Sequence, residues 1–335
     1  MRAAITAGHG ERDQIRIVDD WKDPVAGEGN VVVDIAACAV NFHDIFTRRG
    51  MPGIKIPLPV VVGSDMAGTI GSVGPGVAGW SVGDRVLIDP IAHDGQTGML
   101  GETADGGRAE RIAVGAGHLI HVPDTVTLEQ AASLPLAYGT AHRMMITQGR
   151  IKAGEKVLVL GASGGVGAAC VQLAKMTGCE VIACASSDSK LERLKAIGAD
   201  HGINYAAGSI LEQVKALYGK PKVYGGGGVD VLVNFTGGDT MKESQRCLTL
   251  GGRMLTCGAT AGYDVGIDMR FLWTFEHLMI GSNGWSRDDL VALLDLIAAG
   301  KLDPVIDKIL PLEETAEAER MLEEREVVGK VLIRP

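Results

Sequence analysis

The chain has 335 residues, 46% apolar and 22% charged, which suits a soluble globular protein with room for two domains and a core in each. A net charge of −9 argues against nucleic acid or an anionic membrane as partner, and no apolar run reaches the roughly 18 residues of a membrane span. The expectation is a cytoplasmic protein acting on a small molecule. Cys38, Cys170, Cys179, Cys184, Cys247 and Cys257, none in a C-x-x-C pair, read as buried reduced thiols.

Up to residue 122, short strands alternate with glycine and proline turns. Met1–Ile5, Gln14–Val18, Asn30–Ile35, Val60–Val62, Gly68–Val73 and Asp84–Ile88 are strand-like, and one helix, Phe42–Arg49, is closed by Gly50. Many short strands with such punctuation predict a compact β-barrel-like domain. Residues 128–148 follow as a largely helical stretch broken at Pro135.

Next comes Val157-Leu-Val-Leu-Gly-Ala-Ser-Gly-Gly-Val-Gly167, and then a run of small and apolar residues to Met176. Four apolar residues suit a strand buried on both faces, and the rest suits a helix packed close to a sheet. Strand, glycine turn and helix in that order are the context of a dinucleotide-binding fingerprint, although Ala162 takes the first glycine position. Ser163, Gly164, Gly165 and Val166 are the expected cradle: bare backbone N–H groups at a helix N-terminus suit a pyrophosphate. Gly167 lets the helix sit tightly on its strand. Strands at Glu180–Ala185 and Ile203–Tyr205, with a helix over 189–197, complete a βαβαβ half.

Val229–Asn234, Arg253–Cys257 and Leu278–Ile280 are further parallel-strand candidates, and 287–299 is an amphipathic helix. Phe235, Gly258, Ala259, Ser282 and Asn283 follow those strands, where a doubly wound sheet opens its ligand crevice. Val305–Leu310 and Lys330–Arg334 read as strands returning to the first domain around a helix over 313–324.

End to end, the chain resembles the medium-chain dehydrogenase/reductase superfamily, in its quinone oxidoreductase and zinc-alcohol-dehydrogenase-like branches. Asn41-Phe-His-Asp44 with Arg48-Arg-Gly50 is similar to the N-x-x-D…R-x-G segment of quinone oxidoreductases, and Gly63-Ser-Asp-Met-Ala-Gly68 to their G-x-[DE]-x-x-G turn. Gly71–Val77, Gly83–Val86, Ala162–Gly167, Gly198–Asp200 and Asn204-Tyr205 extend the match. The resemblance implies an α/β protein: a GroES-like β-barrel substrate domain (1–122 and 303–335), a Rossmann doubly wound parallel sheet (123–302), a cleft between them, and a homodimer.

Two departures from the zinc branch bear on the chemistry. Asn41 stands where that branch has a cysteine and Ser64 where it has a histidine, and neither is a good zinc ligand. No cysteine lies between Asp89 and Glu102, so the four-cysteine lobe is shortened too. The expectation is a metal-free enzyme. Without a cation to polarise a carbonyl, conjugate reduction is less demanding than alcohol–ketone interconversion, because its charge spreads into an enolate that hydrogen bonds can stabilise.

Asn41 is then either a donor to a substrate carbonyl or a helix cap, and Asp44 an anchor for the helix. Phe46 stands where some relatives carry tyrosine, which leaves proton delivery to water, His43 or Tyr138. Thr140 resembles a threonine at the nicotinamide end of the cofactor. The second fingerprint strand ends in hydroxyls rather than an acid, with Lys190 and Arg193 beyond it, which favours NADPH. Ser186, Lys190 and Tyr205 match positions that hold the adenosine phosphate in quinone oxidoreductases, and Asp188 is expected to cap the next helix. Rivals are an enoyl-thioester reductase, with Arg48, Arg49 and Lys55 for a coenzyme A phosphate, a metal-less alcohol dehydrogenase, and a non-enzymatic NADPH- or RNA-binding protein. Substrate contacts are expected from loops 50–58 and 91–104.

Overall fold

A computed structural model of the chain describes residues 1–51, 53–91 and 98–335. Pro52 and residues 92–97, within the two loops expected to touch substrate, lie outside the described residues. Internal contacts divide the chain into two units, Met1–Ala137 with Arg287–Pro335, and Tyr138–Ser286. The first unit takes in residues 123–137 and 287–302, which the sequence pattern assigns to the cofactor domain. Polar contacts tie them there: the Leu136 N–H donates to Asp65 at 2.8 Å, and Arg287 donates to the carbonyls of Gly117 and Leu119.

The first unit is built on a long strand, Asn30–Val40, whose β-branched run makes it the spine of a seven-stranded sheet. The sheet path is 306–311, 330–334, 30–40, 65–73, 85–88, 119–121, and Arg111–Gly115 also pairs with the spine. Val31, Val33, Met66, Ile70, Val86 and Ile88 fill its core. A smaller sheet joins 15–18, 3–6 and 60–61. Register matters more than count here. Ala39 pairs with Asp65 on one side of the spine, and Val40 with Val331 on the other. The end of the spine therefore brings Asn41, Asp65 and Lys330 side by side, although they come from three distant parts of the chain. The helix Phe42–Arg49 starts at that point, as expected, and Gly50 closes it at φ 93°, a conformation that favours glycine.

The second unit is a six-stranded sheet in the order 201–204, 180–185, 156–159, 229–233, 248–256, 278–281, parallel throughout. In units of strand sequence this is 3-2-1-4-5-6, the doubly wound order. Val157, Leu158 and Val159 are fully buried, and each such side chain contributes about 1.5–3 kcal/mol. The helix Gly165–Met176 buries Ala168, Ala169, Val171, Leu173 and Ala174 against the sheet. Helices Ile210–Tyr218 and Thr240–Gln245 complete the covering layers. The stretch expected to be helical over 128–148 is so, but Leu134–Gly139 and Arg143–Gln148 adopt the wider π form, so Pro135 is absorbed rather than ending the helix. Among the described residues no helix is long and apolar enough to cross a membrane.

Candidate active site

At the end of the spine the Asn41 amide is held from both sides. Its Nδ2 donates to Asp65 Oδ2 at 2.9 Å, and its Oδ1 accepts from the Lys330 ammonium. Lys330 Nζ also donates to Asp65 Oδ2 at 3.2 Å and to the Val40 carbonyl at 3.4 Å, so its three hydrogens are all used. Asn41, Asp65 and Lys330 are 5%, 0% and 2% exposed. Burial pushes the Asp65 carboxyl up, against the opposing pull of Lys330, Asn41 and the Leu136 amide. Every partner it has is a donor, which is the arrangement of an ionised carboxylate.

Asn41 also stands at the N-cap of the helix, in a capping box with Asp44. The helix is anchored by Asp44, whose Oδ2 accepts from the Asn41 N–H at 2.8 Å and from Arg108 Nη2 at 2.6 Å. Arg108 also reaches Glu319 Oε1, Arg48 Nε reaches Glu319 Oε2 at 2.7 Å, and Arg48 Nη2 reaches Glu323 Oε1 at 2.8 Å. Burial alone would lower the Arg108 pKa; Asp44 and Glu319 overcome that and keep it charged. The network also corrects one expectation. Arg48 is fully buried and engaged with carboxylates, so it is not available to a coenzyme A phosphate, whereas Lys55 is exposed and Arg49 lies at the surface beside Glu11 and Glu323.

His43, one residue into the helix, places Nε2 2.6 Å from Glu102 Oε2. Burial would lower its pKa, but Glu102, with Asp44 and Asp65 nearby, raises it above the ordinary 6.5. The sequence assigns no site role to Glu102, Arg108, Glu319 or Lys330, although Glu102 and Arg108 fall in a stretch, 98–110, that resembles the zinc branch.

These donors do not fit a zinc ion. Asn41 and Ser64 supply neither thiolate nor imidazole, and the oxygens of Asp65 are taken by an amide, an ammonium and a backbone N–H. Among the described residues no group of three His, Cys, Asp or Glu side chains is placed to hold a metal. Five cysteines are buried and Cys257 nearly so, its thiol pushed up to about 12 by burial.

In the second unit, parallel strands bring the predicted cofactor residues to one edge. Gly161 turns the chain at φ 64° under the Phe235 ring. A Cβ on Gly167 would lie 2.2 Å from the Gly161 carbonyl oxygen, so this glycine sets the helix against its strand. A Cβ on Gly164 would meet nothing nearer than 3.7 Å, which leaves open space over the helix N-terminus. There the N–H groups of Gly165 and Val166 have no helical acceptor. Ser163 and Val166 are half-buried beside the exposed Gly164. This cradle fits a pyrophosphate.

Ser186 follows the second strand, and Tyr205, 41% exposed, follows the third. Ser187 rather than Asp188 caps the next helix, accepting from the Lys190 N–H at 3.4 Å; Asp188 instead accepts from Asn204 Nδ2 at 2.8 Å. Gly258 and Ala259 follow the fifth strand. Ser282 and Asn283 follow the sixth, with the Ser282 N–H on the Thr256 carbonyl and its hydroxyl buried without a partner among the described residues. Asn234, not anticipated, accepts from the N–H groups of Thr236 and Gly237 and so shapes the turn after Phe235. Tyr138 is fully buried and donates to Gln172 Oε1 at 2.8 Å; Thr140, 8% exposed, lies one turn beyond Leu136.

The chain matches the family described as alcohol dehydrogenase GroES-like domain over residues 27–124, and that described as zinc-binding dehydrogenase over 165–299. It is 30% identical to a quinone oxidoreductase of Rattus norvegicus over 341 residues, covering 99% of this chain and 97% of that protein. It is 29% identical to an acryloyl-coenzyme A reductase of Sulfurisphaera tokodaii over 334 residues, covering 95% and 96%. A solved structure described as an NAD-dependent alcohol dehydrogenase superposes with a TM-score of 0.92 at 34% identity, over 100% of both chains.

Proposed function

Because the chain belongs to the medium-chain dehydrogenase/reductase superfamily and is an oxidoreductase of that type, we propose that it reduces a quinone or an α,β-unsaturated carbonyl with NADPH and without a metal. One observation carries this reading: the Lys330 ammonium, not a metal ligand set, sits on Asn41 and Asp65. The cation fixes Oδ1 and polarises the amide, and Asp65 takes one Nδ2 hydrogen. The second Nδ2 hydrogen has no partner among the described residues and is the donor for a substrate carbonyl, where enolate charge develops. Bound NADPH supplies the hydride. The N–H groups from Ser163 to Val166 hold its pyrophosphate, Ser186, Lys190 and Tyr205 its 2′-phosphate, and Thr140, Phe235, Gly258, Ala259, Ser282 and Asn283 flank the nicotinamide. Tyr138 spends its proton on Gln172 and is a packing residue in this scheme.

The acryloyl-coenzyme A reductase relative favours an enoyl thioester as a second substrate class. The exposed edge strand Leu278–Gly281, with Leu278 at 57% and Met279 at 42%, supports a homodimer paired along that edge. The six unbridged thiols support a reducing, cytoplasmic setting.

NADPH oxidation against quinones, enones, enals and enoyl thioesters, with saturated aldehydes as control, tests the reading. Turnover of a conjugated acceptor with kcat/KM for NADPH well above that for NADH is the expected result. Turnover of saturated aldehydes alone, or equal use of the two coenzymes, contradicts it.

A further inference from the structure

We propose that His43 and Glu102 form one proton-delivery unit for this reduction, His43 giving the proton and Glu102 acting as the positioning residue that orients its ring. The proposal rests on the function proposed above. Glu102 lies on a loop 59 residues from His43, and its carboxylate is 10% exposed with Oε2 2.6 Å from His43 Nε2. A carboxylate so placed fixes the tautomer: Nε2–H points at Glu102, which leaves Nδ1 as the working nitrogen. Nδ1 has no hydrogen-bond partner among the described residues, and the His43 side chain is 26% exposed, enough to meet a ligand or water. The charged groups that act on His43 are the carboxylates of Glu102, Asp44 and Asp65; Arg108 balances Asp44 and Lys330 balances Asp65, whereas among the described residues Glu102 pairs only with the imidazole. An ionised Glu102 thus favours the imidazolium, and its hydrogen bond contributes to holding the His43 pKa above the ordinary value.

The balance is simple. Hydride brings two electrons to the β-carbon of the acceptor and a C–H bond forms there, while the double-bond electrons move to the carbonyl oxygen as an enolate. The Nδ1–H bond of His43 then breaks and its proton forms the α-C–H bond. Neutral imidazole is left with Nε2–H still on Glu102, and solvent restores the Nδ1 proton.

The test is the pH dependence of kcat for NADPH-driven enone reduction in the wild-type protein, Glu102→Gln and His43→Gln, with NADPH affinity by fluorescence and thermal unfolding as fold controls. A proton donor must be protonated to act, so wild-type kcat falls as pH rises through the His43 value. Glu102→Gln keeps the shape but removes the charge. It moves that fall to lower pH by about one unit, about a tenfold loss on the alkaline side, and leaves NADPH affinity intact. His43→Gln lowers kcat by about 10²–10⁴-fold and abolishes the alkaline fall, and imidazole added to His43→Ala restores part of the rate. An unshifted limb in Glu102→Gln, or a pH-independent loss in that variant, overturns the proposal. Wild-type protein that reduces no conjugated acceptor overturns the function itself, which is a separate outcome.

Discussion

The two units solve the problem of holding a ligand with different materials. In the second, the proposed nucleotide edge is made of backbone: missing side chains at Gly164 and Gly167, orphan N–H groups at a helix start, and strand ends aligned because the whole sheet is parallel. In the first, the candidate centre is made of side chains, a buried alternation of charge from Lys330 and Asp65 through Asn41 and Asp44 to Arg108, Glu319 and Arg48. A backbone site tolerates changes that keep its contour. A buried charge network does not tolerate loss of one partner, because the other is left uncompensated in low dielectric.

The largest expected effect is therefore in the network. Arg108→Met strands the fully buried Asp44 and leaves the fully buried Glu319 to Arg48, and is expected to cost about 3–5 kcal/mol in urea unfolding. Lys330→Met strands Asp65 and should cost nearly as much, about 3 kcal/mol. Adding Asp65→Asn should recover a large part of that loss, since it removes the orphaned charge; an unimproved double variant would show that Lys330 matters by packing and not by charge.

Next come the glycines, where the contour itself is changed. Gly167→Ala pushes a Cβ to 2.2 Å from a backbone oxygen and should cost about 1–3 kcal/mol. Gly164→Ala meets nothing nearer than 3.7 Å and should leave stability within about 0.5 kcal/mol while weakening NADPH binding measurably in a fluorescence titration. Equal stability losses in the two would blur the distinction between packing glycine and ligand-facing glycine.

Among the charged pairs the smallest effect is at the one that solvent partly screens. Glu155 receives Arg253 at 2.8 and 2.7 Å, and although burial pushes its carboxyl up, Arg253 outweighs that and holds it below the usual value. A depressed carboxyl stabilises above its unfolded pKa and loses that contribution as pH falls through the folded one. Glu155→Gln should thus lower stability at pH 7 by about 0.5–1 kcal/mol and flatten the acid limb of the stability–pH curve.

The same contrast explains what could be read in advance. The strand–glycine turn–helix unit and the doubly wound parallel sheet were legible because they are written in short contiguous motifs and in apolar runs of fixed period. The helix Phe42–Arg49 and the return of strand Lys330–Arg334 to the first domain were legible for the same reason. The network was not. Asn41 meets Asp65 24 residues away, Arg108 meets Glu319 at a separation of 211, and Lys330 meets Asp65 at 265. No spacing in a single sequence encodes such partners; the register of Val40 with Val331 and of Ala39 with Asp65 is what brings Asn41, Asp65 and Lys330 together. Arg48 shows the cost: as an arginine in a polar stretch it reads as an available phosphate ligand, and only burial shows it to be a structural cation. Asp188 erred by one residue, because Ser187 is an equally good cap with the extended backbone a cap requires.

The central claim is that this centre moves hydride with an ammonium-held amide where its relatives in the zinc branch use a metal. The most direct test is NADPH-driven enone reduction before and after exhaustive dialysis against a zinc chelator, with the metal content of the same samples measured. Full activity in metal-depleted protein is the predicted result. Activity that disappears with the metal and returns on adding one equivalent of zinc would contradict it.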